Sequence, residues 1–226
     1  LQRALIPEGK FGMGSTGRRD DEEPEHSVFV SAFEMALTAV TNRDYRLYLE
    51  ATAAAPPLWW HDRTFNRPRQ PVVGLNGFEA QDYLRWLSAE TGLALRLPTE
   101  AEREKAARGG ETGLPFPWGD DPAGGGHARL KGPLEGPEEV ATTAPNGYGL
   151  FNMADSVHEW CRDGYRPDYY RDSPSVNPCA PASTPRRSAR GGSWRHRCVV
   201  TPCSARSSLP PELHYSDFGL RWVRAL

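Results

Sequence analysis

The chain has 226 residues, a net charge of −2 and a hydrophobic content of 38%. This length can bury a sizeable core and most simply forms one domain spanning residues 1–226. The near-neutral charge gives no electrostatic reason to expect nucleic-acid binding, and no apolar run approaches the roughly 20 residues that span a bilayer, so we expect a soluble protein.

Residues 27–40 open the predicted secondary structure with a pattern typical of a strand. Val28 and Val30 lie on one face, and Phe33 and Met35 continue the alternation of hydrophobic and polar side chains. The pattern predicts a strand with one half-buried face.

Three short helices are predicted next, over residues 42–52, 78–91 and 100–108. Thr41 or Asn42 can cap the first helix, and Thr99 with Glu102 forms the capping box of the third. The buried stripe of the second helix is predicted to consist of Ala80, Tyr83, Leu84 and Leu87. Gly92 is a good residue to end that helix.

The second half of the chain shows little helical periodicity. Residues 111–145 are expected to form an ordered loop, and short strand-like runs alternate with turns after them. The 22 glycines and 21 prolines also favour a loop-rich chain. Together these patterns predict an α+β fold with three short helices and several short strands.

Four cysteines lie in the last third of the chain, at Cys161, Cys179, Cys198 and Cys203. Four cysteines allow three fully paired connectivities, and sequence does not choose among them. A disulfide, buried thiols and a metal-binding pair all remain open at this point.

Seven motifs occur in a fixed order: IPEGKFGMGS, VTNRDY, RLPTEAEREKAARGG, FPWGDD, NGYGLFNMADSVHEW, RGGSW and DFGLR. Together they resemble the formylglycine-generating enzyme family, also called the sulfatase-modifying factor family, over nearly the whole chain. The resemblance implies a C-type-lectin-like fold with short antiparallel strands. The best-known members of the family use oxygen to oxidise a cysteine of a sulfatase peptide to formylglycine, and two active-site cysteines bind their copper ion.

The resemblance implies a catalytic copper site at Cys198 and Cys203, with Ser193 of the GGS motif beside it. Soft thiolates select Cu(I), and the two cysteines have the C-x4-C spacing of the oxidases. Their placement differs, however, because the first oxidase cysteine corresponds to His196 and the second to Cys198. One hypothesis is therefore a copper-dependent oxidase of a peptidyl cysteine or another thiol, and the alternative is a disulfide or a pair of core thiols.

The motif NGYGLFNMADSVHEW resembles the calcium loop of the family. By position, its metal ligands would be Asn152, Asp155, Val157 and Glu159. Calcium prefers six to eight oxygen ligands, which side-chain oxygens and backbone carbonyls of a short turn can supply. The alternative is a hydrogen-bonded turn held by Glu159.

Non-catalytic relatives, including the variable proteins of diversity-generating retroelements, give a second hypothesis. In these relatives the segment between GGSW and the final GFR motif contacts ligand, and here it covers residues 195–218. The side chains expected to contact a peptide or protein ligand are Trp194, Arg195, His196, Arg197, His214, Tyr215 and Asp217. Tyr, Arg and His make adaptable contacts in antibody paratopes. His158 and His196 form a further candidate metal pair, although a lone histidine is more often a satisfied polar residue.

Overall fold

The computed structural model describes residues 1–124 and 135–226. Three α-helices occur in these residues: α1 (Asn42–Thr52), α2 (Gly77–Thr91) and α3 (Glu100–Ala107). The strands are β1 (Arg3–Ile6), β2 (Gly9–Met13), β3 (His26–Val30), β4 (Phe33–Ala36), β5 (Leu95–Arg96), β6 (His158–Gly164), β7 (Arg187–Arg190), β8 (Arg206–Leu209), β9 (Phe218–Gly219) and β10 (Val223–Ala225).

The strands form two four-stranded sheets and one two-stranded ribbon. The first sheet has the order β1-β4-β10-β5, and β2 pairs with β3. The second has the order β8-β7-β6-β9. The strand pairs are antiparallel, as expected, except that β6 and β9 are parallel, with His158 opposite Phe218. The loop between β8 and β9 brings the chain back so that β9 runs in the direction of β6.

The ends of the helices follow from local capping. Thr41 and Thr99 each form a capping box, which confirms the predicted starts of α1 and α3. Helix α2 begins one residue earlier than predicted, because the Asn76 side chain accepts hydrogen bonds from the Phe78 and Glu79 amides. Gly92 ends α2 in a left-handed conformation.

The main hydrophobic cluster lies between α1, α2 and the strands. Tyr45 and Tyr83 stack there with ring centroids 5.1 Å apart. Trp160 of β6 is fully buried in the same cluster, and its indole N–H donates to the Leu75 carbonyl over 3.0 Å. The predicted stripe of α2 is confirmed, since Ala80, Tyr83, Leu84 and Leu87 are all buried. Packing against these side chains fixes β6, which carries His158 and Glu159.

A buried ionic network connects α3 to the second sheet. Glu100 accepts from Arg190 over 3.1 Å and from Arg206 over 2.7 Å, and Arg190 also pairs with Glu104. Burial alone would raise the pKa of Glu100, but the charges of Arg206 and Arg190 outweigh it and lower that pKa. The network anchors the end of β7, where the RGGSW motif begins.

The region predicted to be loop is irregular in residues 111–123 and 135–145, and residues 125–134 lie outside the described residues. Among the residues that the structure describes, no helix has the length and apolar character needed to cross a membrane.

Candidate functional site

The RGGSW motif forms a tight turn directly after β7. Gly191 and Gly192 have φ angles of 105° and 61°, in the region that favours glycine. A Cβ on Gly191 would lie 2.7 Å from a guanidinium nitrogen of Arg103, and one on Gly192 would lie 2.4 Å from Cγ2 of Thr201. The turn therefore requires glycine at both positions because the chain packs closely against these side chains.

Ser193 connects this turn to the segment before β9. Its hydroxyl donates to Asp217 Oδ2 over 2.9 Å and lies 3.4 Å from His196 Nδ1. The Arg195 amide donates to the same hydroxyl over 3.3 Å. Ser193 is buried and pairs with Ser156 through an isolated parallel bridge. The hydroxyl thus has a complete set of local contacts and does not project from the surface.

Trp194 and Arg195 make a second connection to the same segment. The Trp194 indole N–H donates to the Ser216 carbonyl over 3.3 Å. The Arg195 guanidinium donates to the Ser216 hydroxyl over 2.6 Å and lies 5.0 Å from the centre of the Trp194 ring. Trp194 is buried, whereas Arg195 is exposed. The predicted residues 193–196 and Asp217 are thus brought together.

The other predicted ligand-contacting residues are more dispersed. Arg197 and Tyr215 are exposed, and the Tyr215 ring lies 6.1 Å from that of Phe218. His214 lies against the start of α2, where its Nε2 is 3.1 Å from a carboxylate oxygen of Glu79. Arg197 and Tyr215 therefore form, together with Arg195, the exposed part of the predicted surface, while His214 contacts the rest of the fold.

A cavity of about 350 Å³ lies beside the turn. Its lining combines His158 and His196 with polar side chains from distant parts of the chain, including Asp21, Tyr165, Arg186 and Arg206. Sequence reasoning missed these four residues, because no local motif connects residue 21 with residues 165, 186 and 206. The Tyr165 hydroxyl donates to Asp21 over 2.7 Å, and the Arg206 guanidinium lies 4.9 Å from the centre of the Tyr165 ring. The wall is polar and internally hydrogen-bonded.

The two histidines are neighbours in this cavity, with ring centroids 5.2 Å apart. Burial lowers the pKa of His158 to about 4, although the negative charge of Asp217 opposes the shift. Burial also lowers the pKa of His196, again against Asp217. Both imidazoles are therefore neutral at pH 7.

None of the four cysteines, all of which lie in described residues, forms a disulfide. Cys198 and Cys203 are only 1% and 5% exposed, and neither lines the cavity. Cys203 belongs to a hydrophobic cluster that includes Met153 and Ala180. Burial raises the pKa of Cys203 to about 12. The thiol form is therefore strongly favoured there.

The predicted calcium ligands lie in and just before β6. The Glu159 carboxylate accepts from Arg103 Nε over 2.7 Å and from Arg221 over 3.0 Å. Burial alone would raise the pKa of Glu159, but the two arginines outweigh it and lower that pKa. Asn152 Oδ1 accepts from the Ala141 amide over 2.9 Å. Asp155 and Val157 are buried on the same stretch.

Comparison with known proteins identifies the family. A family model described as "Sulfatase-modifying factor enzyme 1-like domain" matches residues 2–226. The chain belongs to this family. A curated family member, the formylglycine-generating enzyme of Streptomyces coelicolor, is 32% identical over 96% of this chain and 87% of its own length.

Two solved structures have a fold similar to that of this chain over nearly its whole length. PvdO from Pseudomonas aeruginosa is 27% identical with a TM-score of 0.85, covering 99% of this chain and 94% of its own. Treponema denticola variable protein 1 is 23% identical with a TM-score of 0.82, covering 98% of this chain and 94% of its own. The predicted α+β, C-type-lectin-like fold is confirmed.

The metals that the family implies do not fit the residues as they are arranged here. Cu(I) needs deprotonated sulfur, whereas Cys203 is a buried thiol with a raised pKa, and neither Cys198 nor Cys203 opens to the cavity. The guanidinium groups of Arg103 and Arg221 both pair with the Glu159 carboxylate, which calcium would need as a ligand. Calcium and copper binding at these positions stays a prediction, which the observed partners of Glu159 and the burial of Cys198 and Cys203 do not favour.

Proposed function

We propose that this family member binds a peptide or protein ligand at the cavity and on the adjoining surface of residues 193–218, and that Cys198 and Cys203 do not carry out copper-dependent oxidation. The observation that carries the proposal is the position of the cysteines. Both cysteines are buried and neither lines the cavity beside the RGGSW turn, whereas histidines and other polar residues do line it.

The surface next to the cavity suits protein or peptide recognition. Arg195, Arg197 and Tyr215 are exposed there, and Val199 and Val200 are 45% and 56% exposed. A rigid frame beneath exposed aromatic, basic and apolar side chains lowers the entropy cost of binding. The Ser193–Asp217 and Arg195–Ser216 hydrogen bonds supply that rigidity.

The oxidase hypothesis is supported by one observation, the 32% identity with the Streptomyces coelicolor enzyme over 96% of this chain. Under that hypothesis the protein would oxidise a cysteine in a peptide. Both thiols would then have to deprotonate and become accessible to substrate, which requires rearrangement of the 198–203 segment.

Copper binding and thiol accessibility test the part of the proposal that concerns Cys198 and Cys203. Wild-type protein is titrated with Cu(I) against a competing chelator, and its native thiols are counted with a chromogenic disulfide reagent. We expect Cys198 and Cys203 to react only after unfolding, and the Cys198→Ser and Cys203→Ser variants to bind Cu(I) as the wild type does. Tight Cu(I) binding that both variants lose, together with oxygen-dependent turnover of a cysteine peptide, would establish the oxidase instead.

A further inference from the structure

The cavity wall contains two adjacent imidazoles. His158 lies at the start of β6, and His196 lies two residues after Trp194. We propose that His158 and His196 bind one divalent transition-metal ion of the class that favours imidazole, such as Zn²⁺ or Cu²⁺. This site is separate from the cysteine pair, and it does not depend on the proposed ligand binding.

The spacing of the rings suits a shared ion. Two imidazoles that bind one ion at the ordinary distance of about 2.0–2.1 Å, at a roughly tetrahedral angle, have ring centres roughly 5 Å apart. The observed separation is 5.2 Å, and the rings are inclined by 63°. Because both side chains line the same cavity, an ion can reach them from solvent.

Unsatisfied polar atoms at the same place provide a second observation. His158 is 7% exposed, and its Nδ1 is buried with no hydrogen-bond partner among the described residues. Asp217 Oδ1 is another buried atom of this kind. Buried polar atoms in folded proteins nearly always have a partner, which can be protein, water or an ion. A buried imidazole nitrogen and a buried carboxylate oxygen, both without a partner among the described residues, indicate a polar ligand that the protein alone does not provide.

The hydrogen bonds of His196 leave one ring nitrogen available as a ligand. Ser193 gives its only hydroxyl hydrogen to Asp217, so the 3.4 Å contact with His196 requires the hydrogen on Nδ1 of the imidazole. His196 Nε2 then carries a lone pair, the form that binds metal. A carboxylate close to metal-binding imidazoles commonly orients the rings and raises their basicity, and the charge of Asp217 acts on both histidines here.

The site has two protein ligands in this proposal. No set of three or more His, Cys, Asp and Glu side chains within residues 1–124 and 135–226 is arranged to hold an ion, and Asp217 is therefore not counted as a ligand. Water, or a donor atom of a molecule in the cavity, completes the coordination. Binding should accordingly be weaker than at a closed structural zinc site with four protein ligands.

Metal titration of the full chain tests the proposal. Metal-free protein is titrated with Zn²⁺ against a chromogenic chelator, and Cu²⁺ binding is followed by electron paramagnetic resonance. We expect one equivalent of Zn²⁺ and nitrogen hyperfine structure in the Cu²⁺ spectrum. His196→Ala and His158→Gln should each lower Zn²⁺ affinity by at least about tenfold, since even the loss of a residue that only orients a metal ligand costs that much.

Matched variants keep the test decisive. His61→Ala removes an exposed histidine that does not line the cavity, and it should bind Zn²⁺ as the wild type does, as should Cys198→Ser. If the buried His158 variant fails to fold, the half-buried His196 variant still decides. Absence of stoichiometric Zn²⁺ binding, unchanged affinity in His196→Ala, or loss of affinity only in the cysteine variant would overturn the proposal. Only the cysteine variants bear on the Cu(I) test of the proposed function, so the histidine metal site and the proposed function can fail separately.

Discussion

Ser193 and Asp217, which are 24 residues apart, are joined by a buried hydrogen bond of 2.9 Å. The bond connects the RGGSW turn to the segment that leads into β9. Beside it, the Asp217 carbonyl accepts from the His158 amide over 2.8 Å. Asp217 thus connects the turn, β6 and β9, and it contacts the backbone of His158 directly and His196 through Ser193.

Ser193→Ala tests this connection. The variant leaves Asp217 Oδ2 buried without its donor, and we expect a loss of about 1–3 kcal/mol in the free energy of unfolding. Urea denaturation measures the loss. The control Ser175→Ala, at an exposed serine, should stay within about 0.5 kcal/mol of the wild type. Equal stability of the two variants would show that the hydrogen bond contributes nothing.

Glu159→Gln tests the buried ion triplet that Glu159 forms with Arg103 and Arg221. The substitution leaves the guanidinium groups of Arg103 and Arg221 buried without their counter-charge, since both pair with Glu159. We expect a loss of about 3–5 kcal/mol in unfolding free energy, measured by urea denaturation. Glu90→Gln, at the exposed end of α2, is the matched control. A loss no larger than that of the control would mean that the triplet is not formed in solution.

Chelation tests the calcium prediction. Because two arginines occupy the Glu159 carboxylate, we expect excess chelator to leave unchanged the melting temperature of protein that is already free of transition metals. A ligand bound only by the native state stabilises that state by mass action, so removal of a bound calcium would lower the melting temperature. A fall that added calcium reverses, and that Asn152→Ala abolishes, would show that calcium displaces the arginines.

The sequence predicts much of the fold because helix capping is local. Thr41 and Thr99 start α1 and α3 with side-chain hydrogen bonds that close within three residues. The partners of Glu159 could not be predicted in this way, since Arg103 and Arg221 lie 56 and 62 residues away. The same is true of Asp21, which reaches the cavity from the N-terminal region. Motifs identify which segments matter, and the tertiary contacts decide what their side chains can bind.

Asp163 of β6 predicts a pH effect on stability. Burial and, next, the charge of Glu100 raise the pKa of Asp163 to about 7, although backbone N–H groups of Glu100 and Ala180 oppose the shift. Between its unfolded pKa of about 4 and its folded pKa, only the native state keeps the proton. The stabilising contribution of Asp163 to the free energy of unfolding is therefore complete below pH 4. It is lost as the pH rises through the folded pKa of about 7, and the total loss is about 4 kcal/mol.

Asp163→Asn isolates this contribution. The amide does not titrate, so the stability of the wild type relative to the variant should fall as the pH rises from 4 to 7. Urea denaturation across this range measures the difference. The two oxygens of Asp163 accept separate backbone N–H groups, so the variant also loses stability at every pH, and only the slope is diagnostic. A difference that does not change with pH would mean that Asp163 stays ionised in the native state.

The exposed surface beside the cavity gives the last prediction. Arg195 and Tyr215 are exposed on the two segments that the Ser193–Asp217 bond joins, so a ligand that covers the surface must contact both. Peptides displayed on phage are selected on the wild-type protein and then measured against Arg195→Ala and Tyr215→Ala. Each variant should weaken peptide binding by about tenfold or more, as expected for exposed Arg and Tyr at the centre of an interface.

Tyr215→Ala should leave the melting temperature nearly unchanged, because the side chain is 43% exposed. Leu47→Ala on α1, also at an exposed residue, is the control and should bind the peptides as the wild type does. Selected peptides that bind both surface variants at full strength would place the ligand elsewhere and contradict the proposed surface.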